Sequence, residues 1–427
     1  EISAYAHLEH RFGPWARIYA SVFYLLTQLA RMGAVMYLMA LPLSVLLGWD
    51  IRIIILVTGI SVTIYSFVGG IVAVTWTDAF QAFVLMAGAV LCALVMLAGM
   101  PDGPSQVFTL GMEYHKFSLG SFGPSFSQAT FWVVLIYGIV LNLQNFGIYQ
   151  SFIQRYIASS SDREARKSIW LGGLLYVPVS FVFFFIGTEL FTYYQAYPQK
   201  LDQVKEAVAV QQLAAEGITR TDTDQYETMV AQKAGQLTNA DLGDKVFPHF
   251  IGAELPQGVT GLLIAAIFAA AMSTISTSLN SSATLLLRDY YQRYVNRDAT
   301  EKQSMRILWG STIVWGILGT EVAFLLLNIT SALDAWWTLS RIFGGGMLGL
   351  FLLGLISRKA SNPPAVIAVI IGILVICWMS ISPYLQGSLA WLSSPFHAFL
   401  IPVFGTLTIL LTGLLISRFY RGHSRPT

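Results

Sequence analysis

Residues 263–289 join an apolar run to a run rich in hydroxyl side chains, LIAAIFAAAMSTISTSLNSSATLLLRD. On a helix, four of these residues share one face because they fall at i, i+3, i+4 and i+7: Ala270, Ser273, Thr274 and Thr277. A row of hydroxyl and carbonyl oxygens suits a hard, weakly held cation such as sodium. The alternative is structural, because Ser and Thr can bond the carbonyl four residues back, and small residues let helices pack closely.

The same stretch is long enough to cross a lipid bilayer, since about 20 residues at roughly 1.5 Å each span the hydrocarbon. Other apolar runs reach this length, and together they predict ten crossings, at 17–48, 53–70, 74–100, 129–149, 168–194, 257–287, 305–327, 332–356, 364–383 and 398–418. We therefore predict an all-α integral membrane protein that is surrounded by lipid.

The composition agrees with a membrane protein and excludes several other classes. Hydrophobic residues make up 55% of the chain and charged residues 11%, against about 25% charged in soluble domains. The net charge of +2 gives no reason to expect a nucleic-acid partner. The histidines lie outside the apolar runs or at their edges, and no HExxH motif or paired carboxylates occur. An enzyme is therefore not expected.

Arg31 is the ionisable residue that lies deepest in a predicted span, and a buried charge there needs a partner. Its guanidinium is a planar fork that can bind a carboxylate in two places. A carboxylated solute is one candidate partner. A structural ion pair with an acid on another helix is the other.

Further acidic and basic residues lie in the predicted spans. Asp78 falls about one turn into its span and could be hydrated, whereas Glu189 is expected near an end where water reaches it. Glu321 and Arg341 occupy similar depths on consecutive spans. We therefore expect Glu321 and Arg341 to form an ion pair.

A polar run interrupts the span that begins near residue 129. Asn142, Asn145 and Tyr149 share a face at i, i+3 and i+7, which makes them candidates for solute binding. Hydrogen bonds between helices are the alternative. Arg155 closes this span and is expected to hold loop backbone.

Four segments resemble, in order, the motifs of the sodium/solute symporter family: GGIVAVTWTDAFQ at 69–81, NLQNFGIYQSFIQRYIAS at 142–159, AAAMSTISTSLNSSATLLLRDYY at 269–291 and FLLGLISRKAS at 351–361. The resemblance implies a leucine-transporter fold of two inverted five-helix repeats. By that likeness the chain is N-terminally incomplete, since a preceding broken helix would complete its binding sites. The implied parts are the last three helices of the first repeat at 17–100, the second repeat at 129–356, an extracellular loop with short helices at 195–256, and two C-terminal helices at 364–418.

The resemblance also assigns sodium ligands, for one or two co-transported ions. The principal site would use the carbonyl of Ala270 and the hydroxyls of Ser273 and Thr274. An additional site would use the three side chains that match the family's second set, with the Ser273 carbonyl: Asp78, Ser276 and Thr277.

For the solute, the resemblance implies a symporter that imports a small organic molecule. The sialic-acid branch of the family places a carboxylate-binding arginine in the helix of Arg31, which favours a carboxylated sugar such as sialic acid. Tyr149 stands where a smaller Asn or Asp would be expected, so the sugar contacts of other members do not transfer directly. A sodium/neutral sugar symporter and a proton-coupled transporter of the same fold remain alternatives.

Lysine and arginine concentrate in the segments on the side that holds both chain ends, for example at 163–167 and 288–306. Because positively charged loops stay inside, we expect both termini in the cytoplasm and the protein in the plasma membrane. We expect a monomer.

Overall fold

The structure is a computed structural model that describes residues 3–216, 218, 223–329, 332–357, 360–385 and 387–420, without the side chains of a few further positions such as 70–74. Ten segments of the described chain are long and apolar enough to cross a membrane, which confirms the predicted number of crossings. The helices that supply them are α2 Pro14–Leu47, α3 Ile51–Ala98, α5 Phe131–Ile148, α7 Asp162–Ala196, α11 Gln257–Leu285, α12 Glu301–Leu325, α13 Ala332–Gly344, α14 Met347–Ile356, α15 Asn362–Ile381 and α16 Ile401–Phe419.

Six shorter helices lie between or beside the spans: α1 Ala6–Phe12, α4 Ser105–Glu113, α6 Gln150–Ile157, α8 Pro198–Ala215, α9 Thr223–Gln236 and α10 Asn239–Ala253. Since the number of crossings is even, both ends of the described chain lie on one side of the bilayer, here called the terminal side. Helices α8–α10 fill most of one connection on the opposite side, here called the loop side.

Helix α3 supplies two crossings, Ile51–Gly69 and Thr75–Ala98. The hydroxyls of Tyr65 and Thr77 are hydrogen-bonded to each other. In a straight helix these residues would be about 18 Å apart along the axis, which is beyond the reach of their side chains. The helix must therefore bend sharply between them.

The span that begins at Phe131 is broken at Tyr149, where the backbone leaves the helical region with φ −74° and ψ 126°. Helix α6 then starts at once with Gln150. The break frees backbone groups, and side chains satisfy some of them: the amide of Ser151 donates to Tyr24 Oη at 3.1 Å. This break was not predicted from the sequence.

Helix α11 lies at the centre of the fold, where it packs against α2, α3 and α12. Its apolar side joins a buried cluster with α2 and α3 that includes Met32, Met36, Ile55 and Ile275. Reciprocal glycine contacts hold α3 against α12. A Cβ on Gly59 would lie 2.2 Å from Thr320 Oγ1, and a Cβ on Gly316 would lie 2.1 Å from Thr63 Oγ1.

An ionic network on the terminal side ties α1 and α2 to the π-helix Leu286–Val295, which continues α11. Arg17 donates to Asp289 at 2.6 Å and to Glu9 at 2.9 Å. Glu9 also pairs with Arg293. This network fixes the position of the end of α11. It therefore also fixes the position of the face of α11 formed by Ala270, Ser273, Thr274 and Thr277, here called the oxygen row.

On the loop side, α8–α10 pack on the membrane helices through an apolar cluster that includes Val204, Val208, Leu242 and Phe250. Lys200 at the start of α8 forms an ion pair with Glu254 at the end of α10. The hydroxyl of Tyr193 donates to the same carboxylate at 2.7 Å. These contacts fasten the loop helices over the ends of the spans.

The expectations for Glu189 and for the pair of Glu321 and Arg341 are wrong. Glu189 is fully buried rather than reached by water. Within the described part of the chain, Glu321 forms no ion pair with Arg341, which instead donates to Thr338 Oγ1 at 2.9 Å and lies 5.7 Å from the ring centre of Phe399. Helices α12 and α13 each pack on α2. Glu321 and Arg341 therefore lie at similar depth but not on surfaces that face each other.

Candidate functional site

The polar faces of α2 and α11 meet in matching register. Tyr24, Gln28 and Arg31 fall at i, i+4 and i+7 and so share one face of α2. Tyr24 Oη donates to Ser281 Oγ at 2.9 Å. One turn further, Ser278 Oγ donates to Gln28 Oε1 at 2.7 Å. Arg31 is the next residue on this face of α2. At its level these faces of α2 and α11 are not in direct contact, and a cavity lies between them.

This cavity has a volume of about 110 Å³ and lies between α2, α6 and α11. Its walls carry two arginines and three oxygen-bearing side chains of α11, and the complete lining is Arg31, Ser151, Phe152, Arg155, Ser273, Thr274 and Thr277. The structure therefore brings the candidate solute-binding arginine together with candidate sodium ligands that are more than 200 residues away in the chain.

The side chain of Arg31 faces this cavity without an acidic partner. No hydrogen bond or ion pair to its guanidinium is found among the described residues, and its electrostatic neighbours are Tyr24, Tyr149 and Arg155. Two aromatic hydroxyls and a second cation do not neutralise it. Since an unpaired charge inside a membrane is costly, the position favours an anion in the cavity.

Several hydroxyls of α11 bond carbonyls of their own helix, as the structural alternative requires. Thr274 Oγ1 donates to the Ala270 carbonyl at 3.2 Å, and Ser276 Oγ donates to the Ser273 carbonyl at 3.1 Å. A hydroxyl that donates in this way keeps lone pairs on its oxygen. Thr274 can therefore bond its own backbone and still present an oxygen to a cation in the cavity, whereas Ser276 is fully buried.

Asp78 lies against the same face of α11, and Arg155 lies between them. Arg155 Nη2 is 2.6 Å from Asp78 Oδ2 and also donates to Thr277 Oγ1 at 2.9 Å. Thr277 Oγ1 itself lies 3.4 Å from Asp78 Oδ2. The structure thus brings Asp78 and Thr277 together, with a guanidinium joining them. Arg155 does not hold loop backbone as expected, because the break at residue 149 turns α6 towards α11.

The three candidate solute residues near the break have different surroundings. Asn142 is exposed, and its amide donates to the Gly138 carbonyl of its own helix at 2.8 Å. Asn145 is half-buried. Tyr149 is buried at the break, accepts a hydrogen bond from Gln144 at 3.0 Å, and packs edge-on against Tyr24 with ring centres 5.4 Å apart. Of the three, only Tyr149 has a described contact with the polar face of α2.

Sequence reasoning missed several residues that build this site: Tyr24, Gln28, Gln144 and Arg155. A signal for the first two was present, since polar side chains at i, i+4 and i+7 in an apolar span mark a face turned inwards. No comparable signal existed for Arg155, because its partners Asp78 and Thr277 lie on two other helices.

This cavity between membrane-spanning helices has Arg31 on one wall, without an acidic partner among the described residues, and neutral oxygens on another, so it can take up an anionic group and a cation together. This arrangement, in a fold with ten crossings, defines the protein as a cation-coupled membrane transporter.

Comparison with known proteins gives the particular class. The Sodium:solute symporter family matches residues 5–219 and 222–418, and the chain belongs to this family. It is therefore a transporter, not an enzyme, and it couples movement of a small solute to sodium.

Among its relatives, a sodium/sialic acid symporter of Aliivibrio fischeri is 30% identical over 424 residues, which are 99% of this chain and 74% of that protein. Another, from Proteus mirabilis, is 30% identical over 421 residues, which are 98% of this chain and 75% of that protein. A solved structure of a Na⁺-coupled sialic acid symporter in a substrate-bound, outward-open state superposes with a TM-score of 0.80 at 28% identity, covering 100% of this chain and 78% of that one. The leucine-transporter fold expected from the sequence is confirmed.

Proposed function

We propose that the protein imports a carboxylated sugar such as sialic acid together with sodium. The observation that carries this proposal is the position of Arg31, which faces the cavity opposite the oxygen row of α11 and has no acidic partner among the described residues. The sugar acid would supply the missing carboxylate, and the similar relatives are sodium/sialic acid symporters.

The principal sodium ion would bind the Ala270 carbonyl and the hydroxyls of Ser273 and Thr274. These groups provide three oxygens, fewer than a sodium ion takes in water, so water or further oxygens would supply the others. Bound sodium and a bound carboxylate face each other across one small cavity, and each would raise the affinity for the other. Rocking of one group of helices against the other would then open the cavity to the terminal side, where the sodium ion and the solute would be released.

An additional sodium ion would bind at Asp78, Ser276 and Thr277. Arg155 already neutralises Asp78, so this ion would have to displace its guanidinium. Ser276 is fully buried, so the ion would also have to open a path to its hydroxyl. We infer that the additional site fills only when Arg155 moves away, which would make the number of coupled ions one or two according to the state.

For the solute, Tyr149 would lie nearest Arg31, since its hydroxyl is one of the electrostatic neighbours of the guanidinium. Asn145 and Asn142 would contribute from the same helix only if α5 turned towards the cavity. Tyr149 therefore ranks above the two asparagines as a solute contact.

We also propose that the terminal side is cytoplasmic, because lysine and arginine concentrate there, and that the protein resides in the plasma membrane. A single chain contains the whole cavity, so we propose that it works as a monomer.

Uptake into proteoliposomes tests this function. Labelled sialic acid should accumulate with an inward sodium gradient, but not with choline. Arg31→Gln should abolish this uptake, whereas Arg52→Gln, on the exposed start of α3, should leave it unchanged. Thermal stabilisation of Arg31→Gln by sodium would show that this variant is folded. Sialic acid uptake at the wild-type rate by folded Arg31→Gln would remove the carboxylate assignment.

A further inference from the structure

A second concave site lies on the lipid-facing surface, away from the cavity of Arg31. It is a groove of about 320 Å³ between the first span of α3 and α12. Most of its lining is apolar, and the complete set is Leu56, Gly59, Ile60, Thr63, Ile64, Ile313, Gly316, Ile317, Thr320, Glu321 and Phe324. We call it the Glu321 groove.

The groove follows from the glycine contacts that hold the two helices together. Gly59 and Gly316 let the backbones approach, and Thr320 and Thr63 fill the space opposite each of them. Larger side chains on either side cannot enter so narrow a gap. They extend into the lipid instead, and Ile60 and Ile317 remain 52% and 58% exposed. The floor is therefore formed by small residues and the walls by large apolar ones.

One carboxylate lies at the loop-side end of this apolar groove. Glu321 is exposed and four residues before the last residue of α12, which is about 6 Å along the axis. Within the described part of the chain, no hydrogen bond or ion pair to Glu321 is found. A carboxylate only accepts hydrogen bonds when it carries its charge, so a cation with N–H donors suits this position because it supplies both the opposite charge and the donors.

We propose that the Glu321 groove binds a phospholipid with a primary ammonium headgroup, such as phosphatidylethanolamine, in the loop-side leaflet. The ammonium group donates to the Glu321 carboxylate, and an acyl chain lies along the small-residue floor between α3 and α12. A choline headgroup carries the same charge without N–H donors and binds less well. A phosphatidylglycerol headgroup adds only negative charge near the carboxylate and binds least.

Lipid binding to the purified protein tests this site. Native mass spectrometry and thermal unfolding are measured with added phosphatidylethanolamine, phosphatidylcholine or phosphatidylglycerol. Wild type should prefer the ethanolamine lipid. Glu321→Gln should lose that preference, with about tenfold weaker binding, as expected for the loss of one charge-assisted hydrogen bond. Glu301→Gln, at the opposite end of the same helix, is the matched control and should behave as wild type.

A second variant tests the acyl chain position. Ile317→Trp places a larger side chain in the groove and should weaken binding of the ethanolamine and choline lipids alike. Because Ile317 faces lipid, this change leaves the protein core intact. An ethanolamine preference that survives in Glu321→Gln, or is missing in wild type, would overturn the proposal. So would a lipid-free dimer of wild type that becomes monomeric in Ile317→Trp, because a second copy would then occupy the groove.

Discussion

Arg155 Nη2 lies 2.6 Å from Asp78 Oδ2 and 2.9 Å from Thr277 Oγ1, so one guanidinium joins two residues proposed for the additional sodium site. A guanidinium and a sodium ion carry the same charge. They cannot both occupy contact distance to one carboxylate oxygen without strong repulsion. If sodium binds at this proposed site, it must therefore compete with the Arg155 guanidinium.

Removal of this internal cation is expected to change sodium dependence. Arg155→Gln leaves Asp78 without its positive partner, so sodium should bind there more readily. We expect the sodium concentration for half-maximal uptake to fall severalfold, and the dependence on sodium to become steeper if a second ion then binds. Uptake by proteoliposomes over a range of sodium concentrations measures both.

The control for this experiment is Arg163→Gln, which removes an exposed cation on the same side of the membrane. Its sodium dependence should match wild type. If Arg155→Gln also matches wild type, sodium does not compete with the guanidinium.

The hydroxyl of Thr274 is expected to matter for sodium and not only for packing. Thr274→Val keeps the shape but removes one proposed oxygen ligand, so apparent sodium affinity should fall about tenfold. Thr312→Val in α12 is the matched control, because Thr312 Oγ1 also donates to a carbonyl four residues back, at 2.9 Å. An equal effect of both changes on sodium affinity would favour the structural interpretation of the oxygen row.

The contact between α3 and α12 should be sensitive to a single methyl group. At Gly316, a Cβ would lie 2.1 Å from Thr63 Oγ1, so Gly316→Ala should destabilise the protein by about 1–3 kcal/mol. Gly310→Ala, on the same helix, is the control, since no atom lies within 4 Å of a Cβ there. Thermal unfolding in detergent compares the two, and equal midpoints would show that the helices can separate at little cost.

The ion pair between Lys200 and Glu254 should stabilise the loop helices over a defined pH range. Partial burial acts to raise the pKa of Glu254, but hydrogen bonds from Lys200 and Tyr193 outweigh it and lower the pKa below its usual value of 4.5. Burial acts to lower the pKa of Lys200, and its partners outweigh it to raise the pKa above 10.5. The acid's contribution is complete above pH 4.5 and is lost as the pH falls through the lowered pKa. The lysine's contribution is complete below pH 10.5 and is lost as the pH rises through the raised pKa.

Glu254→Gln should therefore lower stability between about pH 4.5 and 10.5 and converge on wild type in more acidic solution. The loss should be no more than about 1 kcal/mol, because both side chains are partly exposed. Glu206→Gln, an exposed acid on α8, is the control. Unfolding midpoints that differ from wild type by the same amount at pH 3 and pH 7 would contradict this assignment.

Much of the fold could be predicted because the length of each apolar run indicates a membrane span by itself, without knowledge of contacts to other parts of the chain. The oxygen row of α11 was equally visible, since helical spacing alone puts Ser273 and Thr274 on one face. The break at Tyr149 was not visible, because no proline stands there and the chain leaves the helix to meet Tyr24 on another element.

Pairings between helices were the least predictable part. Arg155 with Asp78 depends on the turn of α6, and the expected pair of Glu321 with Arg341 failed because depth in the membrane does not determine the direction of a side chain. The roles of Arg31, Asp78, Ala270, Ser276 and their neighbours as ligands stay predictions, since the family assignment alone does not test individual residues.

Calorimetric binding of sialic acid to the purified protein, in sodium and in choline, tests the central claim most directly. If the carboxylate at Arg31 and sodium at Thr274 share one cavity, affinity in sodium should exceed affinity in choline at least about tenfold, a coupling of about 1.4 kcal/mol. Thr274→Val should remove most of that difference without affecting binding in choline. Equal affinity in both salts, or a sodium effect that survives in Thr274→Val, would contradict the account.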